Sequence, residues 1–295
     1  MNHLVAAAII AIAGSGLMSQ DQAQTHMQRL IAAQPQLEKY LDALQPKEAI
    51  ELLEGMIPDT IPDVGKGSED PKALRAGITE ISALQIMFVY LGRAQVLSGE
   101  IEKAIDSLKK AKDMADIKAA GTEDFINLQI QGMTQAVEQS KVRLKEIENV
   151  LAKKKDLESK NKLKMNKLDK EQLAAITKDM PNLENQTKIC NETIEKMPAA
   201  IQQMSEAISV EKANAEKFAP AIADLEDSLK KEQELISSDF GGDKAKYVSS
   251  AVNAKGILER QKTMQDKASF LNRLLVLDPA NKDVQKQLTL LIGNN

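Results

Sequence analysis

Residues 173–236 read LAAITKDMPNLENQTKICNETIEKMPAAIQQMSEAISVEKANAEKFAPAIADLEDSLKKEQELI. Apolar residues recur there at alternating steps of three and four, the heptad period of helices that pack against other helices. The a positions are Leu173, Met180, Thr187, Ile194, Ile201, Ile208, Ala215, Ile222, Leu229 and Ile236. The d positions are Ile176, Leu183, Cys190, Met197, Met204, Glu211, Phe218, Leu225 and Glu232. Apart from Thr187, Glu211 and Glu232, this seam consists of apolar residues and one thiol, and it predicts a long helical path.

A shorter heptad series precedes this one. Its a positions are Ile130, Val137, Leu144 and Leu151, and its d positions are Ile126, Met133, Ser140 and Ile147. Neither seam is buried alone, so each needs a partner. The simplest arrangement folds the first series back on the second as an antiparallel coiled-coil hairpin. Self-association through the heptads, as an intermolecular coil, is the alternative.

Three prolines, Pro181, Pro198 and Pro220, interrupt the second series. Proline removes a backbone hydrogen bond and clashes with the preceding turn of a helix. The heptad phase nevertheless continues through all three positions. This favours kinks in one long path, and three shorter helices in a bundle also fit the pattern.

Composition restricts the function as much as the fold. The 295 residues are 43% hydrophobic and 28% charged, with a net charge of −4, and no window shows the alternation of a strand. We therefore predict an all-α protein. One cysteine and two histidines provide no disulfide, metal site or catalytic pair, and no cofactor motif is present. We expect no enzyme activity, no small-molecule substrate and no nucleic-acid partner.

One helix–turn–helix unit has a more specific pattern. Asp70 is a predicted N-cap and Pro71 a first helical residue, and the helix runs to about Ser98, where Gly99 ends it. A second helix runs from Glu100 to about residue 116. The packing positions of this pair are Phe88, Leu91, Gly92, Ala104, Leu108 and Ala111.

This pattern resembles the tetratricopeptide repeat (TPR), a helical hairpin of about 34 residues. Two positions depart from it, because Gln95 replaces a tyrosine and Asp116 replaces the proline that ends the repeat. Weaker echoes of the repeat are Tyr40, Ala49, Ile50 and Leu53 upstream and Leu271, Leu274, Leu277, Asp278 and Pro279 downstream.

The resemblance implies a concave surface that includes Val89, Arg93, Val96 and Leu97. In repeats of this family such a surface binds peptides, but here it is mostly apolar, and the family's carboxylate clamp is missing apart from Arg93. The helix of residues 83–97 is apolar almost all round, which predicts burial on every side. We expect the chain's own helices near residues 258–277 to fill the groove. A partner helix lying in it is the alternative.

The N-terminal residues 4–13, LVAAAIIAIA, form a short apolar run followed by small and polar residues. This layout is typical of a secretory signal peptide cleaved after Ser19, although no Lys or Arg precedes the run. The mature protein would then be periplasmic or secreted, and the absence of a nearby cysteine excludes a lipoprotein anchor. A buried N-terminal helix and an uncleaved short anchor are the alternatives.

Four further features have structural interpretations. His26 is predicted to be a surface residue, and Cys190 a buried structural thiol. Glu211 and Glu232, at seam positions, are interpreted as devices that fix the helix register. Residues 153–170 contain eight lysines and three acidic residues, a local charge of +5. We interpret this stretch as a solvated hairpin tip rather than a docking patch for an acidic partner, anionic lipid or nucleic acid.

These interpretations divide the chain into a signal peptide (1–19), a TPR-like module (20–120), a coiled-coil hairpin (121–240) and a C-terminal TPR-like helical pair (241–295). Together they predict a non-catalytic scaffold or adaptor that binds protein partners in an extracytoplasmic, envelope-associated assembly. One alternative is a structural spacer or self-assembling subunit. If the N-terminus is not cleaved, an intracellular helical chaperone or regulator is the other.

Overall fold

The computed structural model describes residues 25–61, 70–160, 165–254 and 256–293. Within these ranges the regular structure is helical, without strands, which confirms the all-α prediction. The proposed signal peptide, residues 1–19, lies outside the described residues.

Three helices begin the described chain: α1 (His26–Asp42), α2 (Pro46–Glu54) and α3 (Pro71–Leu97). Pro46 occupies the first turn of α2, where its missing N–H costs no helical hydrogen bond. Asp70 caps α3 as predicted, because its Oδ1 accepts a hydrogen bond from the backbone N–H of Lys72 at 2.9 Å.

The fourth helix, α4 (Ile101–Ser159), is longer than the sequence pattern indicated. The pattern placed one helix end near Asp116, but α4 continues through that position for 59 residues in all, or roughly 90 Å. The physical reason is the residue type, since aspartate permits the helix to continue where the proline of a TPR would end it. The boundary drawn between residues 120 and 121 therefore lies inside a helix.

The return path consists of α5 (Lys167–Glu216) and α6 (Phe218–Phe240). Pro181 and Pro198 lie inside α5 without ending it. The path breaks only at Lys217, directly after Glu216. In a continuous helix, the backbone N–H of residue 220 would bond the carbonyl of Glu216. Pro220 has no N–H to make that bond, so the break falls one helical turn before it.

Contacts between charged and polar side chains show that α4 and this return path are antiparallel and keep one register. Arg143 hydrogen-bonds Gln186, and Lys118 pairs with Glu211 at 2.9 Å. The two contacts are 25 residues apart on α4 (143 − 118) and 25 residues apart on α5 (211 − 186), in opposite chain directions. The hairpin prediction is thus confirmed, with its turn in the lysine-rich stretch.

The register also continues through the helix break. Lys212 pairs with Glu123 at 2.8 Å, and Lys109 pairs with Glu226 at 2.7 Å. The two contacts are 14 residues apart on each side of the helical hairpin, that is 123 − 109 and 226 − 212. The interruption at Lys217 therefore bends the path without shifting its register.

Every predicted seam position of the second series is buried or half-buried, including Cys190. The first series agrees except at its end, where Leu151 is 37% exposed. Val150 is partly buried and Leu157 fully buried instead, so the contacting face rotates by one residue near the end of α4.

The C-terminal segment contains α7 (Lys244–Asn253), α8 (Met264–Leu277) and α9 (Lys282–Gly293), with a short 3₁₀ turn at Leu258–Arg260. The three hydrophobic clusters of the structure include residues up to Ile117 and from Phe218 onwards. We call residues 118–217 the arm and the remaining helical structure the base. The arm portion of α4 is roughly 60 Å long.

The helix α3 forms the centre of the base. In the described part of the chain it is the one helix long and apolar enough, by length and composition, to cross a membrane. Its apolar residues pack inside the protein instead, and Ile81, Leu84 and Met87 have no exposed surface. The predicted burial of this helix is confirmed.

The turn between α3 and α4 gives a stability prediction. Gly99 has a φ of +81°, and a Cβ there would lie 2.3 Å from the backbone nitrogen of Arg273 in α8. We expect Gly99→Ala to cost at least about 2 kcal/mol of unfolding free energy, since both the backbone conformation and the docking of α8 must change. Urea unfolding monitored by circular dichroism measures this cost.

Gly132→Ala is the matched control. Gly132 lies in the exposed arm portion of α4, and a Cβ there would meet nothing within 4 Å. Alanine has the higher helix propensity, so this variant should gain about 0.5–1 kcal/mol. Equal effects of the two substitutions would contradict the docking described for Gly99.

Candidate functional site

Helices α3 and α4 approach each other closely at Gly92. A Cβ at Gly92 would lie 3.1 Å from Cγ of Leu108 and 3.4 Å from the carbonyl oxygen of Ala104. Phe88 and Leu91 are buried beside this contact on α3, as is Ala111 on α4. The absence of a side chain at position 92 thus lets Leu108 pack directly against the backbone of α3.

A buried polar pair lies in the same interface. Gln95 is only 4% exposed, and its Oε1 accepts a hydrogen bond from the hydroxyl of Ser107 at 2.7 Å. A buried amide without a partner would be destabilising, and Ser107 supplies that partner across the hairpin. The departure of Gln95 from the repeat pattern was visible in the sequence, whereas its pairing with Ser107 was not predicted.

Helix α8 packs against α3 and the turn after it. Asn272 donates a hydrogen bond to the carbonyl of Leu97 at 2.7 Å, and Gln265 accepts one from Arg93 at 3.1 Å. Gln265 also donates to the carbonyl of Leu41 at 3.3 Å, which connects α8 to the end of α1. A helix from within residues 258–277 therefore lies beside the predicted concave surface.

The four residues of that surface have different environments. Leu97 is buried, and Val89 packs against the same large hydrophobic cluster. Val96 packs against a second cluster, formed by α4 and α6, while Arg93 is exposed and bonds Gln265. The surface is divided between internal packing and contacts with α8.

A polar cluster that the sequence did not reveal is centred on Glu232 in α6. Its side chain is 9% exposed, and its Oε1 lies 3.0 Å from the hydroxyl of Tyr247 and 3.1 Å from Nε of Arg273. One carboxylate thus connects α6, α7 and α8. Phe240 contacts the Tyr247 ring edge-on, and Arg273 lies over the ring of Phe270.

This cluster corrects the interpretation of Glu232 as a register device. Its hydrogen-bond and ion-pair partners, Tyr247 and Arg273, lie on α7 and α8 and not across the hairpin on α4. The C-terminal helices cover it instead. Glu211 does pair across the hairpin, with Lys118.

Burial, together with the charge of Glu232 and its hydrogen bond, raises the pKa of Tyr247 to about 12. The unfolded chain ionises its tyrosines near pH 10. The folded form therefore keeps a proton that the unfolded form has lost. The contribution of Tyr247 to stability is present below about pH 10 and is lost as the pH rises towards about 12.

A cleft of about 550 Å³ lies next to Glu232. The turn after α3 forms one wall through Gly99 and Ile101, and Ile236, Arg273 and Leu277 form others. Its charged groups are mixed in sign: Glu100, Glu102, Lys103, Glu232, Lys244 and Arg273.

Several of these charges are already neutralised by neighbours. Glu100 pairs with Lys103, whose hydrogen bond lowers the pKa of Glu100 below its ordinary value, and Glu232 pairs with Arg273. Across the described ranges, no group of three His, Cys, Asp or Glu residues is placed to hold a metal ion. The cleft is a joint between helices whose polar groups bond one another.

His26 differs from its predicted role as a surface residue. Its side chain is about four-fifths buried, with Nδ1 2.6 Å from Oε2 of Glu80, and the same oxygen accepts its backbone N–H at 3.1 Å. The contact joins the start of α1 to α3. The sequence around His26 is polar, so its pairing with a residue 54 positions away had no local signal.

No protein-family model, curated protein or solved structure matches this chain.

The Glu232 cluster gives a second stability prediction. Tyr247→Phe removes only the hydroxyl that bonds a nearly buried carboxylate, so we expect a loss of about 1.5 kcal/mol at neutral pH. The loss should shrink by about 1 kcal/mol in a Glu232→Gln background, because the two groups act together. Chemical denaturation of the four proteins of this cycle provides the values.

Tyr90→Phe serves as the comparison. The Tyr90 hydroxyl lies 3.4 Å from Glu38, a longer contact, and we expect its removal to cost less than about 0.5 kcal/mol. If Tyr247→Phe and Tyr90→Phe were equally mild and the cycle showed no coupling, Glu232 would not connect these helices.

Proposed function

We propose that this protein is a non-catalytic scaffold that binds other proteins, with a TPR-like base that carries a long helical arm. The observation that carries the proposal is the continuity of α4, which belongs to the base at its start and to the arm for most of its length. A partner bound to the arm is thereby connected to the base by one helix. This is the mechanical property that an adaptor needs.

The contacts in the base support this division of roles. The Gly92 contact, the Gln95–Ser107 pair and the Glu232 cluster each join helices of the chain to one another. The arm, by contrast, buries only the seam between its two helices, and the other faces of α4 and α5 are accessible along its length. The surface available to a partner therefore lies mainly on the arm.

The TPR-like assignment of the base rests on the packing around Gly92. Close approach at a glycine, with a leucine of the second helix filling the space, is the arrangement that the repeat pattern implies. The helix end at Leu277 before Asp278 and Pro279 is a second point of similarity. An extracytoplasmic location rests on residues 4–13 alone. A native N-terminus at Gln20 would support it, and one at Met1 would favour the intracellular alternative.

A shortened arm tests the proposal. Deleting residues 134–147 from α4 and 185–198 from α5 removes two heptads on each side at matching positions of the observed register. The arm becomes about 21 Å shorter with its seam in phase. The full chain should retain a defined protein partner in stoichiometric amount when cross-linked in its native cells, and the shortened chain should lose at least about nine-tenths of an arm-bound partner.

Circular dichroism and solution mass of the purified chains are the controls, because both variants must be equally folded. The scaffold proposal is contradicted if neither chain retains a stoichiometric partner. Concentration-dependent filaments or oligomers of the purified full chain would instead support the spacer alternative.

A further inference from the structure

The outer end of the arm is its most charged part. Residues 153–170 contain eight lysines and three acidic residues, a net charge of +5. The rest of the arm, residues 118–152 and 171–217, is called the shaft. It contains nine basic and thirteen acidic residues, a net charge of −4. Positive charge is thus concentrated at the end of the arm and is not spread along it.

Six of these lysines lie among the described residues, at the end of α4 and the start of α5: Lys153, Lys154, Lys155, Lys160, Lys167 and Lys170. Lys154 pairs with Glu158, and Lys160 pairs with Asp169 across the hairpin. Lys153, Lys155 and Lys170 are exposed, and none of the ion pairs between described residues includes them. These three side chains are therefore open to solvent.

A large apolar side chain lies among these lysines. Leu168, in the first turn of α5, is 61% exposed. At the same end of the arm Met165 and Leu157 are buried between the two sides of the hairpin. Leu168 does not join this apolar contact. An exposed leucine close to lysines, here Lys167 and Lys170, is the combination that inserts into the interface of an anionic bilayer.

The sequence pattern alone favoured a solvated hairpin tip here. With Leu168 exposed at the same end, we propose instead that the end of the arm is a binding site for a phospholipid surface that carries negative charge. Lysine is a compact point charge suited to the diffuse field of such a surface, and Leu168 supplies hydrocarbon to bury. The acidic shaft is repelled by the same surface, so the arm meets it end-on and holds the base at a distance set by its length. This membrane-binding site does not depend on the scaffold function. It gives the protein a second attachment point, to a membrane, besides the one for a protein partner.

Other anionic partners fit less well. Residues 153–170 contain no aromatic side chain to stack on bases and no arginine for bidentate phosphate contacts. An acidic protein could pair with the lysines, but its binding would give no reason for the exposure of Leu168.

Vesicle co-sedimentation of the full chain tests the proposal, with phosphatidylcholine vesicles compared with vesicles that also contain phosphatidylglycerol. The triple variant Lys153→Gln, Lys155→Gln, Lys170→Gln should bind the anionic vesicles about 100-fold more weakly, because each surface lysine contributes about a factor of five. Leu168→Ser should weaken binding several-fold, and added salt should weaken the binding of the unmodified chain.

The triple variant Lys145→Gln, Lys178→Gln, Lys188→Gln is the matched control, since it removes the same charge from exposed positions on the shaft. All variants share residues 4–13, so any vesicle binding by that apolar run cancels in the comparison. The proposal is overturned if the two triple variants bind alike, or if neutral vesicles bind the full chain as well as anionic ones do. Binding to polyglutamate or a nucleic-acid homopolymer, without vesicle binding, would also overturn it. None of these outcomes bears on whether the arm captures a protein partner.

Discussion

Helix α4 has to bury one apolar face over its whole length. A single helix of 59 residues with such a face is not stable in water. Both α3 and α6 pack against its first part, and α5 packs against the rest. The apolar seam supplies most of the stabilisation, because exposed ion pairs contribute at most about 1 kcal/mol each. Pairs such as Lys118–Glu211 and Lys109–Glu226 select the register, since a shift by one heptad would place each charge beside the wrong neighbour.

The features that local chemistry determines were predictable from the sequence. Heptad spacing gave the seam and the antiparallel hairpin, Asp70 gave the start of α3, and Gly99 gave its end. The continuity of α4 was missed because the TPR pattern implied a stop at Asp116, and aspartate does not impose one. The role of Glu232 was missed for a different reason. Its partners, Tyr247 and Arg273, lie on two later helices, and only the tertiary fold brings them to position 232.

The base and the arm differ in how they use polar residues. In the base, polar side chains such as Gln95 and Glu232 are buried and bonded to other helices, which fixes how the helices pack. In the arm, most polar residues lie outside the seam and leave its long faces in solvent. The predicted groove on α3 lies beside α8 of the same chain, so the surface left for the two proposed binding functions lies on the arm.

Distances between spin labels within one chain can test whether α4 folds back on α5 in the described register. Labels at Lys145→Cys and Glu184→Cys, in a Cys190→Ser chain diluted with unlabelled protein, should lie within about 25 Å, since packed helices are about 10 Å apart and the label linkers add the rest. Labels at Lys145→Cys and Glu206→Cys should be separated by a further axial offset of about 33 Å. If the 145–184 distance were instead near 58 Å, the two segments would form one extended helix that pairs with another chain, and the hairpin would be wrong.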